Sequence, residues 1–386
     1  MESDEQRLVT FFNVGSLVFG PGAVLKCTDD LKARDAKSVF LVTTKPTLGL
    51  CTPLIDALRE QGCAVTVWHD LVGEPTIREF EAALAQVRDC NADAVIGLGG
   101  GSAMDVAKLL AALADGAQAV DDVIGVDRLT ARALWLACIP TTAGTGSEVT
   151  PIAILADEDA DLKKGVVSRW LVPDAAYLDP VLTVTMPPAV TAATGIDALT
   201  HCIEAYANRF AHPMVDHYAL EGIRLIVENL ERAVNDGADL AARAAMLRGS
   251  LYGGMCLGPV NTAAVHALAY PLGGEFHIAH GVANSLLLPH VLRVNLDHAP
   301  ERYAAVARAL GVECGGDHRE DALKGIERII DLSIKCGIKR RLSDFGIERE
   351  AIPRMASAAM TVTRLLERNP RILTEEDVVS IYEAAW

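Results

Sequence analysis

The chain contains no apolar run of about 18 or more residues, so no membrane-spanning helix is expected. Positive charge is scarce: 35 Lys and Arg stand against 51 Asp and Glu, for a net charge of −16. That deficit argues against non-specific binding to nucleic acid or to an anionic membrane surface, while leaving room for a local basic cleft around a phosphate. No Cys-x-x-Cys pair occurs, and the nine cysteines are odd in number and scattered from Cys27 to Cys336. A disulfide scaffold and a cysteine zinc site are both disfavoured, and a reduced cytoplasmic protein is expected. The first residues, MESDEQRLVTFF, are acidic and lack the pattern of a secretory leader. Internal repeats and low-complexity tracts are also missing. What the chain does have is length and apolar content. Its 386 residues are 51% hydrophobic, enough for a large core in two domains or one large one.

Strand and helix signals alternate in the first half. Short β-branched runs occur at 38–44 (SVFLVTT), 64–68 (AVTVW), 94–97 (AVIG) and 133–139 (ALWLACI). Helical patterns such as PLIDALREQG and TIREFEAALAQVRDCNA lie between them. This alternation predicts βαβ units and a parallel sheet buried on both faces. Beyond Met186-Pro187-Pro188 strand signals nearly vanish, and Ala- and Leu-rich helical patterns take over. The reading is an α/β nucleotide-type domain over 1–187 and an all-helical domain over 188–386.

Two glycine-rich loops follow predicted strands. Gly97–Ser102 (GLGGGS) opens the helix AMDVAKLLAALA. Its backbone amides and the helix N-terminus form a ready anion site, and a Cβ there would keep a pyrophosphate away. The spacing departs from G-x-G-x-x-G, because Ser102 stands where the last glycine belongs. A tight turn without ligand is the alternative. The second loop, Pro140–Glu148 (PTTAGTGSE), offers small hydroxyls and glycine amides. Two such loops at successive strand ends suit a ligand crevice at the carboxyl edge of a parallel sheet.

The helical half carries one carboxylate and three imidazoles in suggestive positions. Asp197 and His201, in GIDALTH, are four apart and share one helix face. His266 and His280 are fourteen apart, with Gly273-Gly274 between them. Together they make a borderline donor set suited to divalent iron or zinc. Taken singly, each His reads as well as a satisfied core or surface group.

These pieces together resemble the iron-containing, or group III, alcohol dehydrogenases. The matching stretches are GGGSAMDVAK (99–108), PTTAGTGSEVTP (140–151), GIDALTHCIEAY (195–206), VHALAYPLGG (265–274) and HGVANSLLLPHV (280–291). They stand in family order and spacing across nearly the whole chain. The resemblance implies the dehydroquinate synthase-like architecture of an α/β nucleotide-binding domain and an all-α domain, with a catalytic cleft between them. It implies a metal, Fe2+ or Zn2+, held by Asp197, His201, His266 and His280. Gly100, Gly101 and Ser102 would contact the pyrophosphate of NAD(P). Thr141, Thr142, Thr145 and Lys164 would lie along the cofactor. Asp105 and Lys108 are open between ligand contact and a place on the helix surface. A homodimer or larger homo-oligomer is implied as well. The implied reaction is hydride transfer between NAD(P)H and a small aldehyde or ketone, giving a primary alcohol or hydroxy acid. A metal would polarise the substrate oxygen. Four protein ligands leave a fifth position open, which fits iron better than the three-ligand habit of catalytic zinc.

The chain departs from the family pattern in three places. Many members carry a His four residues after the third ligand, where this chain has Tyr270. The unperturbed pKa of tyrosine, about 10, makes it a poor proton relay at neutral pH. His277, three residues before His280, is the candidate replacement. Tyr270 also points to a functionalised substrate such as a hydroxy acid. Thr44 stands where several NAD-preferring relatives have Asp, with Lys45 beside it. Without that carboxylate a 2′-phosphate is not repelled, so NADPH is expected to be tolerated. Glu74 replaces a frequent Asn and would weaken an anionic contact nearby. Rival functions are a metal-free reductase of the maleylacetate type, a cyclising lyase that uses NAD transiently, and a non-catalytic nucleotide-binding scaffold. The complete Asp-His-His-His set disfavours the first. The scarcity of basic residues near the metal motifs disfavours the second. Binding of NAD(P)H without metal or turnover would mark the third. Gly253, Gly254 and Gly258 are read as helix-packing positions. Trp386 is read as docking against a neighbour or capping the last helix.

Overall fold

The computed structural model describes residues 7–158 and 162–386. The chain forms two compact units. The α/β unit comprises Phe12–Thr142 and Gly146–Thr185, while Met186–Trp386, residues 7–11 and Ala143–Thr145 group as a helical unit.

The α/β unit runs β1 (Ser16–Phe19), α1 (Ala23–Ala33), β2 (Ser38–Val42), α2 (Leu48–Glu60), β3 (Ala64–Trp68), α3 (Ile77–Asp89), β4 (Ala94–Gly99), α4 (Gly101–Leu113), α5 (Val120–Val123), β5 (Gly125–Val126), β6 (Trp135–Pro140), β7 (Ile152–Asp157), β8 (Leu162–Val167) and β9 (Ala175–Leu178). The main sheet has the order β1-β9-β6-β4-β2-β3, with every pairing parallel. A smaller sheet pairs β5 with β8 and β8 antiparallel with β7.

The period-2 rule explains why the central strands read as continuous apolar runs. Val39, Leu41 and Ile96 face Cys27 and Leu31 of α1 and Leu54 and Leu58 of α2. Phe40, Val42 and Val95 face Phe80 of α3 and Met104 of α4. Both faces are therefore dry. At Gly97 a Cβ would stand 2.8 Å from the Ala107 Cβ and 3.0 Å from the Met104 Cα, so α4 lies directly on β4.

The predicted runs correspond to β2, β3, β4 and β6. The reading missed β1 and β9 of the main sheet and all three strands of the smaller one. β1 is an edge strand with Leu17 and Phe19 partly exposed, and β9 is short and half alanine, a weak β-former. Asp105 and Lys108 require a correction, because neither sits on the helix surface. Lys108 is fully buried. Its Nζ donates to Ser147 Oγ at 2.7 Å, Thr150 Oγ1 at 3.0 Å and the Ile152 carbonyl at 2.9 Å. Asp105 accepts from Ser147 Oγ at 2.6 Å and Ile154 N at 3.0 Å. These bonds tie α4 to the segment that follows the second glycine-rich loop.

The helical unit contains α6 (Pro188–Tyr206), α7 (Pro213–Asn235), α8 (Leu240–Leu257), α9 (Ala264–Gly274), α10 (His280–Asn295), α11 (Pro300–Ala309), α12 (His318–Lys335), α13 (Ile352–Met360), α14 (Thr363–Leu366) and α15 (Glu375–Ala385). Buried α6 packs against α7, α8 and α10. Its start is fixed by the fully buried Arg243 of α8, whose guanidinium donates to Thr191 Oγ1 at 2.8 Å and the Met186 carbonyl at 3.2 Å. Trp386 docks within its own chain, donating from Nε1 to the Ile347 carbonyl at 2.9 Å. Among the described residues no helix is long and apolar enough to cross a membrane.

Candidate active site

The chemistry concentrates on one stripe of α6. Asp197, His201 and Glu204 follow one another at four and three residues, which places them on one helical face. All three are buried. α9 contributes His266 from its first turn, and α10 contributes His280 as its first residue. The Nε2 atoms of His201, His266 and His280 lie 3.7, 3.6 and 3.7 Å from Asp197 Oδ1. His201 and His266 are buried with Asp197, whereas the His280 side chain is 31% exposed and forms the open side.

Glycines let the helices come this close. At Gly281, next to His280, a Cβ would sit 2.3 Å from the Ala193 carbonyl oxygen, one turn before Asp197. At Gly253 of α8 it would sit 3.2 Å from the His201 Cβ. The packing role read for Gly253 thus lies directly behind a candidate ligand.

Glu204 was not singled out by the sequence reading. Its carboxylate accepts from His266 Nδ1 at 2.6 Å, Val265 N at 2.6 Å and Ala263 N at 3.1 Å. A carboxylate in this position only accepts, so His266 Nδ1 carries a hydrogen, and Nε2, the nitrogen turned toward Asp197, is the one that would bind a metal on giving up its own proton. Asn284, one turn after His280, is also buried. Its Nδ2 lies 2.7 Å from Asp197 Oδ1, 3.1 Å from His266 Nε2 and 3.2 Å from His280 Nε2. The i, i+4, i+7 polar stripe on α6 and the i, i+4 pair on α10 were the signals available for these two residues.

Electrostatics sets the protonation pattern. Burial opposes charge on Asp197, but His201, His280 and His266 outweigh it and hold the carboxyl well below its usual range. Burial pushes His201 down to about 4. Burial pushes His266 the same way, yet hydrogen bonds to Asp197 and Glu204 raise it to about 9.

This donor set fits a divalent metal. Metal–ligand bonds of ~2.1 Å put ligand atoms ~3.4 Å apart around a tetrahedron, close to the three imidazole–Asp197 separations, and the ligand atoms of Asp197, His201 and His266 all lie within 4.8 Å of one another. Asn284 Nδ2 lies within 3.2 Å of Asp197 Oδ1 and of two imidazole nitrogens, so these polar groups converge on one small volume. One carboxylate oxygen and three imidazole nitrogens suit ferrous iron or zinc.

The loops of the α/β unit are of a different kind. Gly100 is the extended N-cap of α4, followed by Gly101 and Ser102 in the first turn, where amides lack intrahelical acceptors. A Cβ at Gly100 would meet only Thr142, at 3.6 Å, so its other side is open. Thr141 Oγ1 is buried without a hydrogen-bond partner among the described residues. Thr145 lies in the 143–145 segment that groups with the helical unit. Thr44 closes the turn after β2, with Oγ1 2.8 Å from Thr47 Oγ1 and its backbone bridged to Asp70. Lys164, on β8, pairs with Asp157 at 2.6 Å. Glu74 pairs with Lys163 at 2.5 Å, which offsets its charge.

Family models match both halves of the chain. The iron-containing alcohol dehydrogenase model covers residues 15–180, and the C-terminal model of the Fe-containing alcohol dehydrogenase family covers 191–386. Long-chain-alcohol dehydrogenase 1 of Geobacillus thermodenitrificans is 42% identical over 387 residues, 97% of this chain and 97% of that protein. A crystal structure of a 1,3-propanediol oxidoreductase superposes with a TM-score of 0.95 at 34% identity, covering 98% of this chain and 100% of the other. A sulfoacetaldehyde reductase from Bifidobacterium kashiwanohense, solved with NAD+, superposes at 0.89 with 29% identity over 98% of this chain and 99% of that one.

The chain belongs to the iron-containing alcohol dehydrogenase family.

It is accordingly a metal-dependent, NAD(P)-linked oxidoreductase that interconverts alcohols and aldehydes. Against the family pattern, Tyr270 lies part-buried on α9, one turn after His266. His277 lies exposed between α9 and α10 with a left-handed backbone, φ 53°.

Proposed function

We propose that Asp197, His201, His266 and His280 hold the family's iron, and that the substrate is a primary alcohol or its aldehyde, including hydroxy-acid analogues. The observation that carries this reading is the set of three imidazole Nε2 atoms within 3.7 Å of one buried carboxylate oxygen. When bound, the metal supplies Lewis-acid polarisation of the substrate oxygen and favours the alkoxide in the reverse direction. The chain's own residues do the rest. Asp197 supplies a buried negative charge to the cation. His280, on the open side, leaves room for the substrate oxygen.

Residues 1–187 would bind the dinucleotide and 188–386 the metal. Gly100, Gly101 and Ser102 would receive the pyrophosphate at the N-terminus of α4. Thr141, Thr142 and Thr145 would line the cofactor, and the unmet Thr141 hydroxyl supports this. Lys164 would act from the neighbouring sheet, already partnered by Asp157. Thr44 would leave the ribose end without a carboxylate of its own, permitting NADPH beside NADH, although the exposed Asp70 is bridged to it. His277 would carry the proton to solvent, with Tyr270 shaping the pocket wall. Exposure of His277 between the helices that bear His266 and His280 supports that role.

A cytoplasmic homodimer is the assembly we infer. Nine free cysteines fit a reducing compartment, and exposed Leu8, Phe210 and Met214 of the helical unit fit self-association. Light scattering after size exclusion tests the assembly.

The deciding experiment is elemental analysis of protein purified anaerobically without added metal, with His280→Ala as control. About one iron or zinc per chain, lost in the control, with NADH- or NADPH-dependent reduction of aldehydes, is expected. No metal in either sample and none taken up from ferrous iron or zinc would overturn the ligand set. His277→Ala with an unchanged pH–rate profile would remove it as the proton carrier.

A further inference from the structure

The three imidazoles of the cluster do not have equal support. His280 is partly exposed, and His201 has the neutral backbone of Gly144 as its neighbouring backbone group. His266 has a buried carboxylate on its outer nitrogen, Glu204 Oε2 at 2.6 Å. We infer that Glu204 is the positioning residue of the metal centre, acting through His266. It holds that imidazole in the tautomer and orientation that present Nε2 to the metal, and it links the ligand to the start of α9. The inference rests on the reading of His266 as a ligand.

Three observations support it. The Glu204 side chain is 4% exposed, so its charge needs compensation within the protein. Asp197 and Glu204 contribute two negative charges, which one divalent cation balances. A carboxylate behind a ligating imidazole also raises the donor strength of the far nitrogen, fixes the ring and keeps its lone pair on the metal side. Thirdly, the carboxylate is fully engaged. Besides His266 it accepts from Ala263 N and Val265 N, at the N-terminus of α9, where amides lack intrahelical partners. Behind it lies a cavity of about 10 Å³, also bordered by Tyr303 and Asn369, with room for one water at most. Bulk water therefore does not compete for the carboxylate, and Glu204 ties His266 of α9 to α6, the helix that also carries Asp197 and His201.

A double-mutant cycle separates this role from a merely structural one. Metal affinity is measured by chelator competition with zinc and with ferrous iron, in the wild-type protein, Glu204→Gln, His266→Ala and the double variant. The melting temperature of each metal-free protein is recorded alongside. Glu204→Gln is expected to weaken metal binding ~10- to 100-fold. It should lower kcat while leaving the KM for NADH unchanged. In the His266→Ala background the same change should alter metal affinity less than about twofold, because the route through the imidazole is gone. An equal loss in both backgrounds, or wild-type affinity in Glu204→Gln, would overturn the proposal. Unchanged affinity in His266→Ala alone would overturn the ligand assignment itself. Should the variants fail to fold, the zinc-loaded wild-type protein labelled with 15N-histidine answers the same question. One imidazole Nδ1–H, strongly downfield and slow to exchange, is expected for His266. Rapid exchange of every imidazole proton would refute the role.

Discussion

The metal cluster is made of ionisable side chains drawn from three helices, whereas the glycine-rich loops present mainly backbone amides and hydroxyls from short neighbouring segments. On the proposed reading the two regions would serve partners of opposite charge. A divalent cation needs anionic and lone-pair donors, and gathering these away from water is costly unless the cation or further hydrogen bonds offset them. Hence Asp197 comes with Glu204, Asn284 and three imidazoles, most of them buried. A pyrophosphate needs donors without bulk, and an N-terminal helical turn supplies them at little cost. At the cluster, identity of the side chain matters most. At the loops, the space around the backbone does.

Asp197→Asn is the most severe test of that contrast. It keeps the shape and removes the charge, and kcat/KM should fall ~10³-fold or more, about 4 kcal/mol. Metal content should fall with it, as read by elemental analysis. Retained metal and turnover would mean that charge is not what the cluster supplies. Next in size is a pair of changes in the first loop. Gly100→Val should raise the KM for NADH ~10- to 100-fold at nearly constant Tm, since its Cβ meets only Thr142. Gly97→Ala, whose Cβ would lie 2.8 Å from that of Ala107, should instead cost ~1–3 kcal/mol of stability with KM unchanged. Steady-state kinetics and thermal melts on both proteins decide it, and identical behaviour would erase the division between packing and ligand glycines.

Thr44→Asp adds a carboxylate beside Asp70 at the proposed nucleotide end. It should lower kcat/KM for NADPH ~10-fold and leave NADH near its starting value. An equal effect on both coenzymes would place Thr44 away from the ribose. The smallest effect is expected from Glu148 in the second loop. Burial raises its pKa from 4.5 to about 7. The folded state then holds the proton more tightly than the unfolded one, so this group's stabilisation is complete below about pH 4.5 and is lost as the pH rises through about 7. Glu148→Gln should therefore raise the Tm by a few degrees near pH 8, on the order of 1 kcal/mol, and by little near pH 5. A variant whose stability relative to wild type is the same at both pH values would show that burial does not shift the proton equilibrium of Glu148.

Parts of the molecule were readable from local pattern. The strands β2, β3, β4 and β6 announce themselves as apolar runs because both sheet faces are covered. β1 and β9 do not, since one is a half-exposed edge and the other is alanine-rich. Asp197 and His201 stand out at a spacing of four. Glu204 lies on the same stripe, yet a Glu on a helix is ordinarily solvated, and only its burial against His266 sets it apart. Lys108 misleads for the same reason. A lysine in the middle of a helix suggests a surface, and its burial depends on Ser147, Thr150 and Ile152, some forty residues away.

Residue spacing along the chain was enough to set the βαβ alternation, the glycine turns at strand ends and the shared face of Asp197 and His201, because these depend on helical and strand periodicity over a few residues. The convergence of His266 and His280 on Asp197, the tautomer of His266, and the burial of Glu204, Asn284 and Lys108 were decided only by tertiary structure. They depend on how closely α9, α10 and α8 approach α6, or α4 approaches its sheet. That approach is governed by packing at positions such as Gly281 and Gly97, where a single Cβ would meet an atom of another element at 2.3 or 2.8 Å.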